Sequence, residues 1–285
     1  LVVPWRELVE VIQPFAPSDK TVRPPFAVET MLRIHFMQQW FGLSDPAMEE
    51  ALHVVPLYRE FAKIDAGATR LPDESTILKF RHLLEANALS QMLMATINAT
   101  LSRKGLLLKT GTAIDATLIA APSSTKNSKG ERDPEMRQTK KGNQWFFGMK
   151  AHIGVDAVTG LTHSVAATSA NVADVTMTGA LVRDDDKRVY GDAGYTGMGK
   201  YLNEEKDAPN SRCCVAAKRG TIKKMEGSPR KTLLLAFEKA KASIRAKVEH
   251  PFHVIKNLFG YRKVRYKGLS KNQAQLFSLF GLANL

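Results

Sequence analysis

A chain of 285 residues with 44% hydrophobic content is long enough to bury one substantial core, or a medium core beside a smaller helical one, which excludes a largely disordered protein. Lys and Arg exceed Asp and Glu by 13 and the pI is near 9.7, favouring nucleic acid over an anionic membrane surface as the partner. No apolar run approaches the ~20 residues that span a bilayer and no signal pattern opens the chain, so a cytoplasmic protein with no membrane partner is expected.

Residues 1–109 read as an all-α domain. Apolar residues recur at helical spacing over Val28–Phe41, Asp45–Phe61 and Ser75–Leu107, and Leu71-Pro72-Asp73-Glu74-Ser75 has the Pro and Asp of a helix start. At Thr110 the texture changes, so residues 110–285 are expected to form a second domain. Gly111–Ala121 is apolar and β-branched until Pro122 ends it. Ser123–Gly142 is polar and Lys-rich and reads as a loop that orders on a partner. Trp145–Asp156 and Leu161–Thr168 flank Ala157-Val158-Thr159-Gly160 and predict a β-hairpin. Trp145-Phe146-Phe147 within it is expected as core, with stacking on an unpaired base as the functional alternative. Asn171–Val182 has helical spacing, Arg188-Val189-Tyr190 leads a fourth strand into Gly191-Asp192-Ala193-Gly194-Tyr195, and Cys213–Ala217 is a candidate fifth. The adjacent Cys213 and Cys214 suit neither a zinc site nor an ordinary disulfide, and are expected as buried thiols. A long helix from Thr232 to about Asn257 follows. The order predicts a mixed sheet flanked by helices.

The charge is localised. Ala216–Lys271 carries sixteen Lys and Arg against three acids and so accounts for the entire excess of 13. Such a block attracts a polyanion by counterion release. One of its acids, Glu249, lies four residues after Arg245 and seven before Lys256, offsets that gather all three on one face of a regular helix. Taken alone, that is also the pattern of a surface ion pair, although Pro251 is out of place in an ordinary helix. Asp115 interrupts an apolar strand, where a buried carboxylate costs several kcal/mol unless compensated, or else lies on a solvated face. Asp192 follows a short strand between Gly191 and Gly194, at a strand's carboxyl end or as a turn residue capping the next helix. His250 and His253 do not have the metalloprotease spacing. Together, Asp115, Asp192 and Glu249, 77 and 57 residues apart, suit a site for two Mg2+ ions that hold a phosphodiester in line.

The motifs Ala113-Ile114-Asp115-Ala116-Thr117, Tyr190-Gly191-Asp192-Ala193-Gly194-Tyr195 and Arg245-xxx-Glu249-xxxxxx-Lys256, followed by Phe259–Leu269, resemble those of the DDE transposases of bacterial insertion sequences, in the branch typified by insertion sequence five. The likeness runs to Ala283-Asn284-Leu285 and includes Leu71–Thr76. It implies a ribonuclease-H-like catalytic domain over residues 110–285. It further implies Asp115, Asp192 and Glu249 as catalytic metal ligands for two Mg2+, with Mn2+ able to substitute, and Arg245 and Lys256 positioning DNA. Arg262, Lys263, Arg265 and Lys267 are the further DNA-binding candidates. The expected activity is cleavage at transposon ends and strand transfer into target DNA by a homodimer or larger assembly, in the bacterial cytoplasm and at the nucleoid. Domain 1–109 is expected to recognise DNA ends or to dimerise. A Mg2+-dependent nuclease without joining activity, or a catalytically silent DNA-binding relic, are the alternatives. Ala242 replaces a Tyr common in the family, and the 57-residue gap leaves little room for a large β insertion, so a hairpin reaction does not carry over.

Overall fold

The computed structural model describes residues 3–17, 24–65, 67, 70–108, 110–128, 130–202, 212–217 and 229–285. Two compact units emerge, one of Leu1–Thr100, Ile255–Tyr261 and Ala274–Leu285, the other of Leu101–Val254 and Arg262–Gln273.

The first unit is helical: α1 Trp5–Ile12, α2 Val28–Phe41, α3 Asp45–Val54, α4 Pro56–Phe61, α5 Glu74–Ala86 and α6 Leu89–Arg103. The expected helix over Asp45–Phe61 is divided at Val55, because Pro56 pushes the residue before it into extended backbone. That over Ser75–Leu107 is divided at Asn87 and Ala88, the latter at φ 51°. Asp73 caps α5, its Oδ1 accepting from the Thr76 amide at 2.7 Å, which realises the predicted helix start. Buried residues surround most of α2. Trp5, Phe36, Trp40 and Phe61 form a tilted and edge-on aromatic cluster, with the Arg33 guanidinium 4.0 Å from the Trp5 ring.

The chain's last residues depart from the expected 109/110 division. From Ala274 onward, helix Leu269–Ala283 belongs to the helical unit. There Ser278 Oγ lies 3.3 Å from His35 Nε2, the Gln275 side-chain amide donates to Gln39 at 3.1 Å, and Asn284 donates to Asn98 at 2.8 Å. Leu276, Leu279 and Phe280 are fully or almost fully buried. An apolar helix needs a core to cover it, and sequence order does not say which.

The second unit is a mixed sheet: β1 Thr112–Ala120, β2 Arg137–Lys141, β3 Gln144–Asp156, β4 Thr162–Ser169, β5 Arg188–Gly191 and β6 Arg212–Val215. Spatial order is β2-β3-β1-β5-β6, with β4 also on β3. β1 runs antiparallel to β3 and parallel to β5, and β5 is parallel to β6. The stretch expected as a loop over Ser123–Gly142 therefore contributes a strand: Lys140 pairs with Trp145 across a tight Gly142-Asn143 turn. Its polar sequence hid it, since nothing apolar alternates along Arg137–Lys141. The helical span expected over Asn171–Val182 shrinks to a 3-10 turn at Asp174–Met177 and a short α7 at Thr178–Leu181. Cys213 is exposed and Cys214 half-buried, both as free thiols, contrary to the buried expectation. They lie on an edge strand among the described residues, with a partner strand only on its β5 side.

Gly148 fixes the approach of β3 to β1. A Cβ there would stand 2.1 Å from the Ile119 carbonyl oxygen. Gly148→Ala is expected to destabilise the unit by at least about 3 kcal/mol, read as a shift in urea midpoint, because the obstruction is backbone and cannot rotate away.

Candidate active site

β1 carries Asp115 through the centre of the sheet. β1 and β5 pair Thr112 with Val189 and Ala113 with Tyr190, an offset of 77, and Asp192 lies 77 residues after Asp115. Continued two residues beyond its last pair, that register brings Asp192, one residue past β5 in extended backbone, to the position beside Asp115. Parallel neighbours lie about 4.8 Å apart and residues in register share a face. The separation of the two aspartates equals the offset of the β1–β5 pairing.

Glu249 approaches from α8 Pro229–Arg245, which packs against β1 and β5 and passes through a 3-10 turn, Ala246–Val248, lying against β1 and β3. Glu249 then opens α9 Glu249–His253, and a π-helical turn, Val254–Leu258, follows. The offsets of four and seven assumed one uniform helix. The observed succession of α, 3-10, α and π turns replaces that periodicity, so the shared face of Arg245, Glu249 and Lys256 does not follow from it. Pro251 supplies the reason: its ring crowds the carbonyl of Lys247, four residues back, where the chain tightens into the 3-10 turn.

Asp115 feels the other two acids. Burial, first, and then the charges of Asp192 and Glu249 raise the Asp115 carboxyl to a pKa of about 6, against the lowering effects of the Ala116 amide and Arg245. The Ala116 N–H donates to Asp115 Oδ1 at 2.7 Å and the Gly194 N–H donates to Asp192 Oδ1 at 2.8 Å. Asp192 is thus both a turn cap and a neighbour of Asp115. Its glycines serve close approach: a Cβ at Gly194 would lie 2.9 Å from Asp192 Oδ1, and one at Gly191 would lie 2.8 Å from Tyr195 Cβ.

Residues 107–285 match the family described as Transposase DDE domain, and residues 1–83 match that described as Transposase domain (DUF772). The chain belongs to the DDE transposases. No solved structure matches it. The mixed sheet of this transposase, with helices packed against it, is of the ribonuclease-H-like kind that the family implies. No helix among the described residues is long and apolar enough to cross a membrane.

DDE domains are typically dependent on divalent metal. Among the described residues of this transposase, no three His, Cys, Asp or Glu side chains are gathered closely enough to hold an ion as they stand. The donor set nevertheless suits a hard cation. It consists of carboxylate oxygens, the two aspartates each keep one oxygen beyond their backbone bonds, and the Asp115 carboxyl is raised first by burial and then by the charges of Asp192 and Glu249, both of which a cation would offset.

The basic candidates divide. Arg262, Lys263, Arg265 and Lys267 are exposed on a segment tied to the end of β1, where the Ala120 amide donates to the Arg262 carbonyl at 3.2 Å and the Val264 amide to the Ala120 carbonyl at 2.8 Å. Asp133 and Glu135 accept from the Gly268 and Leu269 amides, both at 2.7 Å. A cleft of about 470 Å3 lies between this segment and Ser124–Asp133, with Arg132, Arg265, Tyr266 and Lys267 in its wall. Arg245 is in the sheet unit, whereas Lys256 falls in the helical one.

Sequence reasoning missed a cluster on the sheet's other face. Lys150 Nζ lies 2.8 Å from Asp174, with buried His152 3.9 Å from the same oxygen. Tyr195, quoted only as part of a motif, is buried with no hydrogen-bond partner for its hydroxyl among the described residues. Burial and the charges of Asp115, Asp174 and Asp192 push its ionisation upward, so it stays a neutral phenol. The pairing of Ala116 with His152 is what brings these groups behind Asp115, and no local pattern announces it.

Proposed function

We propose that this transposase, of the insertion-sequence-five-like branch, cuts DNA at the ends of its element and transfers the freed 3′-hydroxyl into target DNA. The register position of Asp192 beside Asp115, with Glu249 near enough to raise the Asp115 carboxyl, carries the reading. Asp115 and Asp192 offer their remaining oxygens to two Mg2+, and Glu249, exposed on the first turn of α9, rotates to complete the set. Mn2+ substitutes, being served by the same oxygen donors. When bound, the metal supplies charge stabilisation to the attacking and leaving oxygens of the phosphodiester. Arg245, partly buried beside these acids, tempers their repulsion and holds the scissile strand. Lys256, Arg262, Lys263, Arg265 and Lys267 bind phosphates and fix the DNA's register without reading sequence. Residues 1–109 recognise the ends or join subunits, since synapsis of two ends takes at least two chains. The protein works in the bacterial cytoplasm, at the nucleoid.

A labelled duplex bearing the element's own end, incubated with Mg2+ and the wild-type or Glu249→Gln protein, tests the reading. Cleavage and joining that vanish in the variant support it. Cleavage without joined products points to a nuclease, and binding without Glu249-dependent chemistry to a relic. Alanine at Arg262, Lys263, Arg265 and Lys267 together is expected to flatten the dependence of log K on log salt by up to about 3.6, at ~0.9 per phosphate lost. An unchanged slope removes these four from the interface.

A further inference from the structure

β3 outruns its neighbour. β1 ends at Ala120 opposite Gly148, and the Ala121 amide still donates to the Phe147 carbonyl at 2.9 Å, so residues 144–146 pair only with β2 and form, among the described residues, a two-stranded ribbon past the end of β1. Such a ribbon is marginal alone and is of a size that a DNA groove admits. Its charge is one-sided: Arg137, Lys140 and Lys141 are exposed, and no acid occurs from Met136 to Val155. At its tip Trp145 is 67% exposed, directly opposite Lys140. Leaving an indole in water forgoes a large burial gain, so this position asks for a partner. The partner's chemistry is set by the surrounding cations. Besides the ribbon's own, the Arg132 guanidinium stands 5.4 Å over the Phe147 ring, and Arg132 also lines the cleft with Arg265 and Lys267, where Glu131 and Asp133 are the acids present.

Side chains alternate along a strand, so Trp145, Phe147, Met149, Ala151 and Ile153 share a face, and Ile153 is the register partner of Asp115. Trp145 therefore lies on the carboxylate face, eight residues from the level of Asp115, or about 26 Å at ~3.3 Å per residue. That span equals about eight base pairs of duplex at ~3.4 Å each.

We propose that the Arg137–Phe147 ribbon enters a groove of the DNA end about eight base pairs from the phosphodiester held at the acids, with Lys140 and Lys141 on phosphates and Trp145 against the bases. The placement builds on the strand-cutting reading; the ribbon's own chemistry does not. The test places 2-aminopurine at successive positions from the cut and titrates end DNA with wild-type protein, Trp145→Ala, Trp145→Phe and the Lys140→Ala, Lys141→Ala pair. Circular dichroism confirms that each is folded. Expected is a fluorescence change centred near the eighth base pair that Trp145→Ala abolishes with about a tenfold loss of affinity, and that Trp145→Phe largely restores. The lysine pair is expected to lower the salt slope by about 1.8 and leave the position of the signal unchanged. A Trp145→Ala protein that binds as tightly, with the same 2-aminopurine profile, overturns the inference while wild-type cutting still stands. A wild-type protein that shows the Trp145 signal yet fails to cut in Mg2+ overturns the strand-cutting reading and leaves the ribbon as a DNA contact.

Discussion

Asp192→Asn is expected to abolish Mg2+-dependent cutting of end DNA, by about a thousandfold or more, equivalent to about 4 kcal/mol of lost charge stabilisation. The substitution is chosen to spare the fold. An asparagine Oδ1 still accepts the Gly194 amide that Asp192 accepts at 2.8 Å, so the turn after β5 keeps its cap. The shape of the side chain is retained beside Tyr195, which is buried under Gly191. What is removed is one negative charge at the register position next to Asp115. Binding to end DNA is then expected to be unchanged or slightly tighter, since the acid repels phosphate. Gel-shift and cleavage assays on one preparation separate the two effects. Residual Mg2+-dependent cutting above about a hundredth of wild type would place the metal elsewhere.

Asp115→Asn is expected to stabilise the folded chain above pH 6. The folded-state carboxyl titrates at about 6, above an ordinary aspartate near 3.8, because burial and the charges of Asp192 and Glu249 oppose its ionisation. A raised carboxylate binds its proton more readily in the folded than in the unfolded chain. Its destabilising effect is therefore absent below about pH 3.8, grows between there and pH 6, and is fully present above pH 6. The shift corresponds to roughly 2–3 kcal/mol at pH 8. Asparagine, which keeps an acceptor for the Ala116 amide, is expected to recover about 2 kcal/mol of that at pH 8, a rise in Tm of several degrees, and little at pH 4. The same logic gives a metal test without DNA. Millimolar Mg2+ is expected to raise the Tm of the wild type at pH 8, with a smaller effect at pH 5 and in Asp115→Asn. Equal shifts in both proteins would detach Asp115 from the metal site.

The three carboxylates stand out in the sequence because each violates its local surroundings. Asp115 interrupts an apolar strand, Asp192 sits between glycines, and Glu249 lies within a block of cations. The helix of residues 28–41 and the strands around Asp115 and Asp192 were legible for a related reason: each is specified by its own periodicity or by a turn residue at its edge. Strand Arg137–Lys141 was not, because an edge strand with both faces wet needs no apolar alternation. The shared helical face of Arg245, Glu249 and Lys256 failed as an argument because Pro251 changes the helix type on the way.

By itself, then, the sequence determined the hard oxygen donors on offer, a localised excess of thirteen positive charges, and the change from helices to a mixed sheet near residue 110. These are properties of composition and of periods a few residues long. Tertiary structure alone decided which groups meet. Parallel pairing at an offset of 77 set Asp192 beside Asp115, the ends of β1 and β3 left Trp145 on a bare ribbon, and the last twelve residues went to the helical unit. The physical reason is that a strand's register and a helix's covering face are chosen by partners far away in sequence, whose contribution is burial summed over many weak contacts and is carried by no short motif.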